Sequence, residues 1–330
     1  MRPRIGWYVH HHGRGHLTRL LAIAPHLDAD VDCLSSLPIP AHLPQGWSWT
    51  VLDRDDDGGT PVDPTVDGML HWAPIGHAGH RRRLSVIADA ATTGRWDGMV
   101  VDTSVEVTLL ARLLGLRTVV VTQPGHRVDR PHVLGFAAAD TVIAPWARGI
   151  LSPPHLEALG RKVVHTGGIS RFAGRRPAGM RTESVVLLAG SGGSNIGPAA
   201  IRDAEKATGR PWRVLGGDGG AWADDPWEAL TSGAVVVSWA GQNAVADLAA
   251  AHAPAVVVPQ DRPFDEQRET GRALRRAGLA EVSDSWPVPE QWPALIDRAV
   301  AARPEWERWE VAGAPARAAA AILETVRGDR

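Results

Sequence analysis

The feature that most restricts this chain is an alternation of short apolar runs with stretches of helical period, which breaks once and then restarts. Arg4–His10 (RIGWYVH) reads as a buried strand and His16–Leu27 as the helix behind it. Further strands are predicted at Val31–Ser35, Trp47–Leu52, Met99–Asp102 and Thr118–Thr122, with a helix over Ser104–Leu114. Strands that are apolar throughout are covered on both faces, and the helices between them supply the crossovers that parallel neighbours need. The rhythm lapses between Thr166 and Glu183, where TGGISRFAGRRPAGMRTE is rich in Gly, Arg and Pro and has no useful period. It resumes with strand Val185–Ala189, helix Ile196–Thr208, strands Trp212–Leu215 and Ala234–Ser238, helix Gln242–Ala251, strand Ala255–Val258 and helix Asp265–Ala277. Two Rossmann-like α/β domains are therefore expected: residues 1–166, a linker at 167–183, and residues 184–312. A last helix within 313–330, about Pro315 to Arg327, is free to pack back on the first domain. A length of 330 residues suits two such domains.

Composition removes several classes of function. A net charge of -2 gives no general field for nucleic acid or an anionic membrane, and the fourteen tryptophans are scattered rather than grouped into a stacking platform. One cysteine, Cys33, excludes an intramolecular disulfide and a thiolate metal cluster, which suits a reducing cytoplasm. Met1–Arg4 leads straight into a strand, so no secretory leader is expected. No apolar run approaches the roughly 20 residues that cross a bilayer, so membrane contact is at most peripheral.

Chemistry-bearing residues cluster where strands give way to helices. Gly13-Arg14-Gly15-His16 follows the first strand: glycines permit a tight turn, a helix N-terminus favours an anion, and His16 stands where a titrating group can take a proton. The bland alternative is a helix-start histidine bonded to backbone. A dehydrogenase reading loses ground, because Ser35 and Ser36 stand where a dinucleotide site wants an acid. His10, His11 and His12 with His16 raise the idea of zinc, but consecutive histidines rarely converge on one point, so no metal is expected. Gly190-Ser191-Gly192-Gly193-Ser194-Asn195 opens the second unit and suits a diphosphate, or is only a flexible turn. It lacks the Walker lysine, which argues against triphosphate hydrolysis. Asp247, in the helix after Ser238-Trp239-Ala240-Gly241-Gln242-Asn243, is placed to accept ribose hydroxyls or to sit on a solvated helix face. Asp265, Glu266 and Gln267 suit sugar hydroxyls, although Asp265 could equally cap its helix. The run Asp53-Arg54-Asp55-Asp56-Asp57-Gly58 starts like an EF-hand, but Pro64 stands where the bidentate glutamate belongs, so a solvated loop is expected. Arg81-Arg82-Arg83, in a stretch with His71, His77 and His80, could face an anionic or lipid-phosphate acceptor, but a solvated helix start is the plainer reading.

Taken together, these elements resemble a known family. IGWYVHHHGRGHLTRLLAIAPHL resembles the opening of family-28-like glycosyltransferases: a strand, Gly-x-Gly-His, then Thr-Arg. AVVVSWAGQNAVADLAAAHAPAVVVPQDRPFDEQRETGRALRRAGLA is similar to their donor-binding region, a layout shared with UDP-glycosyltransferases and with the transferase that makes the peptidoglycan lipid intermediate. The resemblance implies a GT-B fold, two Rossmann-like domains with parallel sheets facing across a cleft, and inverting transfer from a nucleotide sugar, a UDP- or dTDP-sugar, to a hydroxyl.

Carried over residue by residue, His16 matches the general base and Asp102 the aspartate that orients it. Gly190, Ser191, Gly192, Gly193, Ser194 and Asn195 match the donor-phosphate turn, Asp247 the ribose carboxylate, and Gln267 with Asp265 or Glu266 the polar pair on the sugar. Trp222 and Ala223 fall where relatives present backbone to the base. Ser238, Trp239, Gly241, Gln242 and Asn243 complete the donor set. Two departures stand out: Trp239 replaces a His or Arg that contacts the diphosphate, and Asp247 replaces a glutamate. Gly13, Arg14, Gly15, Gln123, His126, Asp129 and Arg130 are the expected acceptor side. The acceptor is a hydroxyl-bearing small molecule or a lipid-linked one at the inner face of the membrane. No cofactor or metal is called for, since the nucleotide sugar is a substrate and backbone N–H groups stabilise the leaving diphosphate. Competing readings are a nucleotide-sugar epimerase or hydrolase of the same fold, and a non-catalytic nucleotide-sugar-binding subunit.

Overall fold

The computed structural model describes residues 2–329 apart from 178, 191–195, 218, 219 and 222. The chain divides into two compact units: unit 1 comprises Met1–Pro145, Pro153–Thr166 and Pro315–Arg330, and unit 2 comprises Trp146–Ser152 and Gly167–Ala314.

Unit 1 runs β1 (Arg4–Tyr8), α1 (Gly15–Ile23), β2 (Asp30–Ser35), β3 (Trp47–Val51), α2 (Ala78–Gly94), β4 (Gly98–Asp102), α3 (Val105–Leu113), β5 (Arg117–Val121), α4 (Arg130–Ala138), β6 (Thr141–Ala144), α5 (Pro154–Glu157) and β7 (Val163–His165). The strands form one parallel seven-stranded sheet in the order β3-β2-β1-β4-β5-β6-β7. β4 is buried at every position, as a central strand covered on both faces must be. The predicted helix over His16–Leu27 is shorter: α1 stops at Ile23 and Pro25 sits in a tight single turn. Proline offers no N–H to continue the ladder there. The chain winds outward from β1 to β3, returns beside β1 as β4, and winds the other way. Loops therefore diverge at the C-terminal ends of β1 and β4, the place where such sheets hold ligands.

Unit 2 runs β8 (Val185–Leu188), α6 (Pro198–Thr208), β9 (Trp212–Leu215), α7 (Trp227–Ser232), β10 (Val235–Ser238), α8 (Gln242–Ala250), β11 (Ala255–Val257), α9 (Glu266–Ala277), β12 (Glu281–Val282) and α10 (Trp292–Ala301). Its five parallel strands lie in the order β12-β11-β10-β8-β9, so the reversal falls between β8 and β10. Val185, Leu187, Val235, Val237 and Val256 pack against Trp292 and Ile296 of α10. Burying each such side chain contributes about 1.5–3 kcal/mol, and a one-residue slip would expose the whole set. The last helix, α11 (Ala314–Arg327), belongs from Pro315 onward to unit 1. There Arg317 donates to the Thr166 carbonyl at 2.8 Å, and Thr325 Oγ1 lies 2.8 Å from Thr141 Oγ1. Among the described residues, no helix is long and apolar enough to cross a membrane.

Candidate active site

Both sequence-predicted constellations fall on these reversal points. In unit 1 the chain leaves β1 through His10, His11 and His12, and turns at Gly13, whose φ of +78° would strain a side chain. It then enters α1 with Arg14 exposed at the N-cap and Gly15 as the first helical residue. His16 is buried in the first turn, and its Nδ1 lies 3.0 Å from Oδ1 of Asp102, the last residue of β4. Arg19, on the same helix face one turn later, donates from Nη1 to that oxygen at 2.8 Å. Burial alone would push the Asp102 carboxyl up; the Arg19 guanidinium and then His16 outweigh it and hold the group below its ordinary value. A wholly buried carboxylate is thus kept ionised between two basic side chains.

The next residue, Thr103, has φ of +71°. A β-branched residue there is strained, a condition that collects at functional sites. Thr103 and Ser104 line a small, partly open pocket in unit 1, with Thr122, Gln123, Arg127 and His132 among its walls.

The acceptor-side residues differ in how far they are already engaged. Gln123 Oε1 accepts from buried Arg127 at 2.7 Å, and Arg127 Nη1 lies 3.0 Å from His132 Nε2. A guanidinium can only donate, so His132 Nε2 is the acceptor and Nδ1 carries the proton toward Asp129 Oδ1, 2.5 Å away. Asp129 Oδ2 is 2.6 Å from His71 Nε2. His126 and Arg130 are exposed, and Arg130 Nη1 lies 3.6 Å from Met69 Sδ.

One reading of the basic run is corrected, at Arg83, whereas the 53–58 loop is exposed at every residue but Asp55, as a solvated loop is. Arg83 is fully buried, ion-paired with Asp55 and donating to Tyr8 Oη at 2.9 Å, so it belongs to the core of unit 1 and not to a solvated helix start. The 53–58 loop is correspondingly anchored: Asp53 pairs with Arg82, Asp55 with Arg83, and Asp56 with Arg54. His11 and His12 also converge on it, with Nε2 atoms 3.4 and 3.1 Å from Asp56 Oδ2. The His10 ring centroid lies 5.4 Å from that of His16, and burial, then His16, pushes His10 well below its ordinary pKa.

In unit 2, Gly190 follows β8 and is exposed; Ser191, Gly192, Gly193, Ser194, Asn195 and Trp222 lie outside the described residues. Ala223 is half-buried. Ser238 ends β10, fully buried, and donates to the Leu188 carbonyl at 3.3 Å. Gly241 is the N-cap of α8, and Gln242 and Asn243 form its half-buried first turn. Trp239 is a core residue at 4% exposure, packed edge-on to Trp286.

Asp247 is buried in α8, and its Oδ1 accepts from Ser170 Oγ at 2.6 Å. That hydroxyl accepts in turn from the Phe172 N–H at 3.0 Å. Arg171 Nε lies 3.8 Å from Asp247 Oδ2. Burial is the main cause that pushes the Asp247 carboxyl up to about 6, with Ser170 and Arg171 opposing it. Gln267 is buried too, and its Oε1 accepts the N–H groups of Ala240 at 3.2 Å and Gln260 at 2.9 Å, which ties the β10 and β11 loops together. Asp265 is exposed at the N-cap position of α9 with φ of +56°, next to Phe264 at +61°, and its side chain makes no capping bond; Glu266 is half-buried. The capping role weighed for Asp265 is therefore excluded.

Sequence reasoning missed Arg19, Ser170, Arg171 and the convergence of His71 and His132 on the predicted Asp129. Arg19 had a signal, its i+3 spacing from His16. Ser170 and Arg171 had none, lying in a segment read as linker.

Residues 221–307 match the glycosyltransferase family 28 C-terminal domain. No curated protein matches the chain. Among solved structures, spinosyn forosaminyltransferase SpnP is similar at a TM-score of 0.69 and 13% identity, over 99% of this chain and 100% of its own. Acinetobacter baumannii MurG is similar at 0.62 and 16% identity, over 98% and 100%. Phytolacca americana UGT2, solved with UDP-2fluoro-glucose and pterostilbene, gives 0.64 and 14%, over 99% and 94%. Identities this low speak for the fold, which is GT-B, and the family match over residues 221–307 supports glycosyl transfer as the activity class.

Proposed function

We propose that the enzyme moves a sugar from a UDP- or dTDP-sugar to a hydroxyl with inversion, and that His16 is its general base. The observation that carries this reading is the buried, ionised Asp102 at 3.0 Å from His16 Nδ1. Such a carboxylate favours the tautomer with the proton on Nδ1, leaving the Nε2 lone pair for the acceptor. The acceptor oxygen attacks the anomeric carbon, its proton goes to His16 Nε2, and the bond from that carbon to the diphosphate breaks. Asp102 then stabilises the imidazolium. The acceptor is either a soluble molecule or a lipid-linked one met at the cytoplasmic face of a membrane, bound beside Gly13–Gly15 and the Gln123–Arg130 segment.

Unit 2 is assigned the donor. Backbone N–H groups at the start of α8 suit a diphosphate without a divalent cation on it, and the Gly190–Asn195 sequence is assigned the same part. Arg171 offers the positive charge that Trp239 does not, since it stands beside the carboxylate assigned to the ribose. Asp265 and Glu266 are left to the sugar hydroxyls, with Gln267 holding their loop in place.

Thermal-shift titration with UDP-, dTDP- and GDP-sugars, followed by transfer assays with the nucleotide that binds, tests this reading. One nucleotide class should raise the melting temperature by mass action. No stabilisation by any of them, or donor hydrolysis that no hydroxyl acceptor can divert, would replace transfer with one of the competing readings.

A further inference from the structure

Three ligand-type atoms in unit 1 form a triangle that neither the base nor the donor assignment uses. His11 Nε2 and His12 Nε2 lie 3.4 and 3.1 Å from one and the same oxygen, Asp56 Oδ2. In a tetrahedral site with bonds of about 2.0–2.1 Å, neighbouring ligand atoms are separated by about 3.3 Å. Two of its edges already have that length, and all three ligand atoms lie within 4.8 Å of one another. The second His–Asp–His group, His71, Asp129 and His132, does not: there each carboxylate oxygen meets a different imidazole, at 2.6 and 2.5 Å. Those are hydrogen-bond lengths, too short for two ligands of a shared ion.

The surroundings favour a cation between the first three. Asp55 Oδ1 lies 3.8 Å from His11 Nε2 and adds a second negative charge at the rim. The side chains of His12 and Asp56 are 65% and 29% exposed, so an ion can enter without unfolding the unit. Two cations oppose it: Arg83 is ion-paired with Asp55, and Arg54, itself half exposed, donates to both oxygens of Asp56, at 2.8 and 2.6 Å.

We infer that His11, His12 and Asp56 bind a divalent cation of the zinc type, with the remaining position open to water, and that the ion clips the 53–58 loop to the end of β1. Two imidazoles and one carboxylate select a borderline ion such as Zn²⁺ over Mg²⁺ or Ca²⁺, which prefer all-oxygen sites. Arg54 competes with the ion for the same carboxylate.

The test is calorimetric titration of the full chain, freed of metal by a chelator, with Zn²⁺, and with Co²⁺ read by visible absorption. One equivalent of Zn²⁺ should bind, raise the melting temperature by a few degrees, and with Co²⁺ give the intense bands of a four-coordinate site. His12→Ala and Asp56→Asn, both changes at solvent-reached positions, should each weaken binding at least tenfold. Arg54→Ala should tighten it severalfold, which a plain ion-pair network would not predict. Uptake that is absent, unaltered by His12→Ala, or lost on His71→Ala instead would overturn the assignment. None of these readouts involves sugar transfer, so they stand or fall apart from the proposed mechanism.

Discussion

On the proposed assignment of Asp247 to the donor ribose, its carboxyl sets stability against binding, and pH separates the two. Its carboxyl is pushed up to about 6 by burial in α8, against about 3.9 in an unfolded chain. Between those values the native state holds a proton that the unfolded state has lost, so stability falls as pH rises from about 4 to about 6. Two pH units correspond to about 3 kcal/mol, which bounds this group's share of the loss. Asp247→Asn keeps the shape and removes the charge, and should therefore be more stable than the native chain at pH 7 and lack that decline. Donor affinity should run the other way. Ribose hydroxyls donate to the carboxylate, so only the ionised fraction is fully competent, and the apparent dissociation constant scales inversely with it. That fraction is close to one at pH 8 and about one in eleven at pH 5, a predicted loss of about tenfold. A UDP-sugar has no group of its own titrating in this window, which makes calorimetric titration at pH 5, 6, 7 and 8 a clean assay. Asp247→Asn should bind weakly with a flat profile. Native affinity that does not vary with pH, or an Asn variant with the same slope, would take Asp247 out of the donor site.

Asp102→Asn should lower turnover by about 10²-fold: the ceiling from opposite charges 3.0 Å apart is about 5 kcal/mol at an effective dielectric of 20, and Arg19 already shares the oxygen. Its effect should not add to that of His16→Ala when rates of both single variants and the double variant are compared. Arg19→Met strands a buried carboxylate and should cost about 3–5 kcal/mol of stability in denaturant titration, far more than an exposed Arg→Met change. Gly79→Ala should destabilise unit 1 by about 1–3 kcal/mol, because its Cβ would meet the Arg54 carbonyl oxygen at 2.0 Å; an unshifted melting temperature would refute that packing. Chelators should leave UDP-sugar affinity unchanged, whatever they do to the His11–His12–Asp56 group.

The two α/β units were legible because parallel strands buried on both faces carry a strong apolar signal: Val185–Ala189 and Met99–Asp102 are recognisable without help. The helix Ala78–Gly94 was read only as a solvated start at Arg81–Arg83, because its sequence is polar and one of its buried residues is an arginine. Arg83 becomes a core residue only when Asp55 and Tyr8 meet it, and nothing local announces such long-range pairing. The His16–Asp102 pairing was foreseen from the resemblance alone, since 85 intervening positions hide it from any periodicity. Asp247 was read as lying on an accessible helix face and proves buried, held by Ser170 from a segment without period. The convergence of His11 and His12 on one oxygen likewise depends on where the 53–58 loop folds back, which the strand alternation of neighbouring side chains argued against.

The central claim is that the base belongs to unit 1 and the donor to unit 2, and the His16→Ala variant tests it most directly. The measurement pairs its transfer rate at saturating donor with its dissociation constant for the same nucleotide sugar. Loss of a positioned general base should lower the rate by about 10²–10⁴-fold. Donor affinity should stay within about twofold of the native value, because none of the residues assigned to the nucleotide lies on α1. Near-native turnover in His16→Ala would contradict the account and move the search for the base to His126.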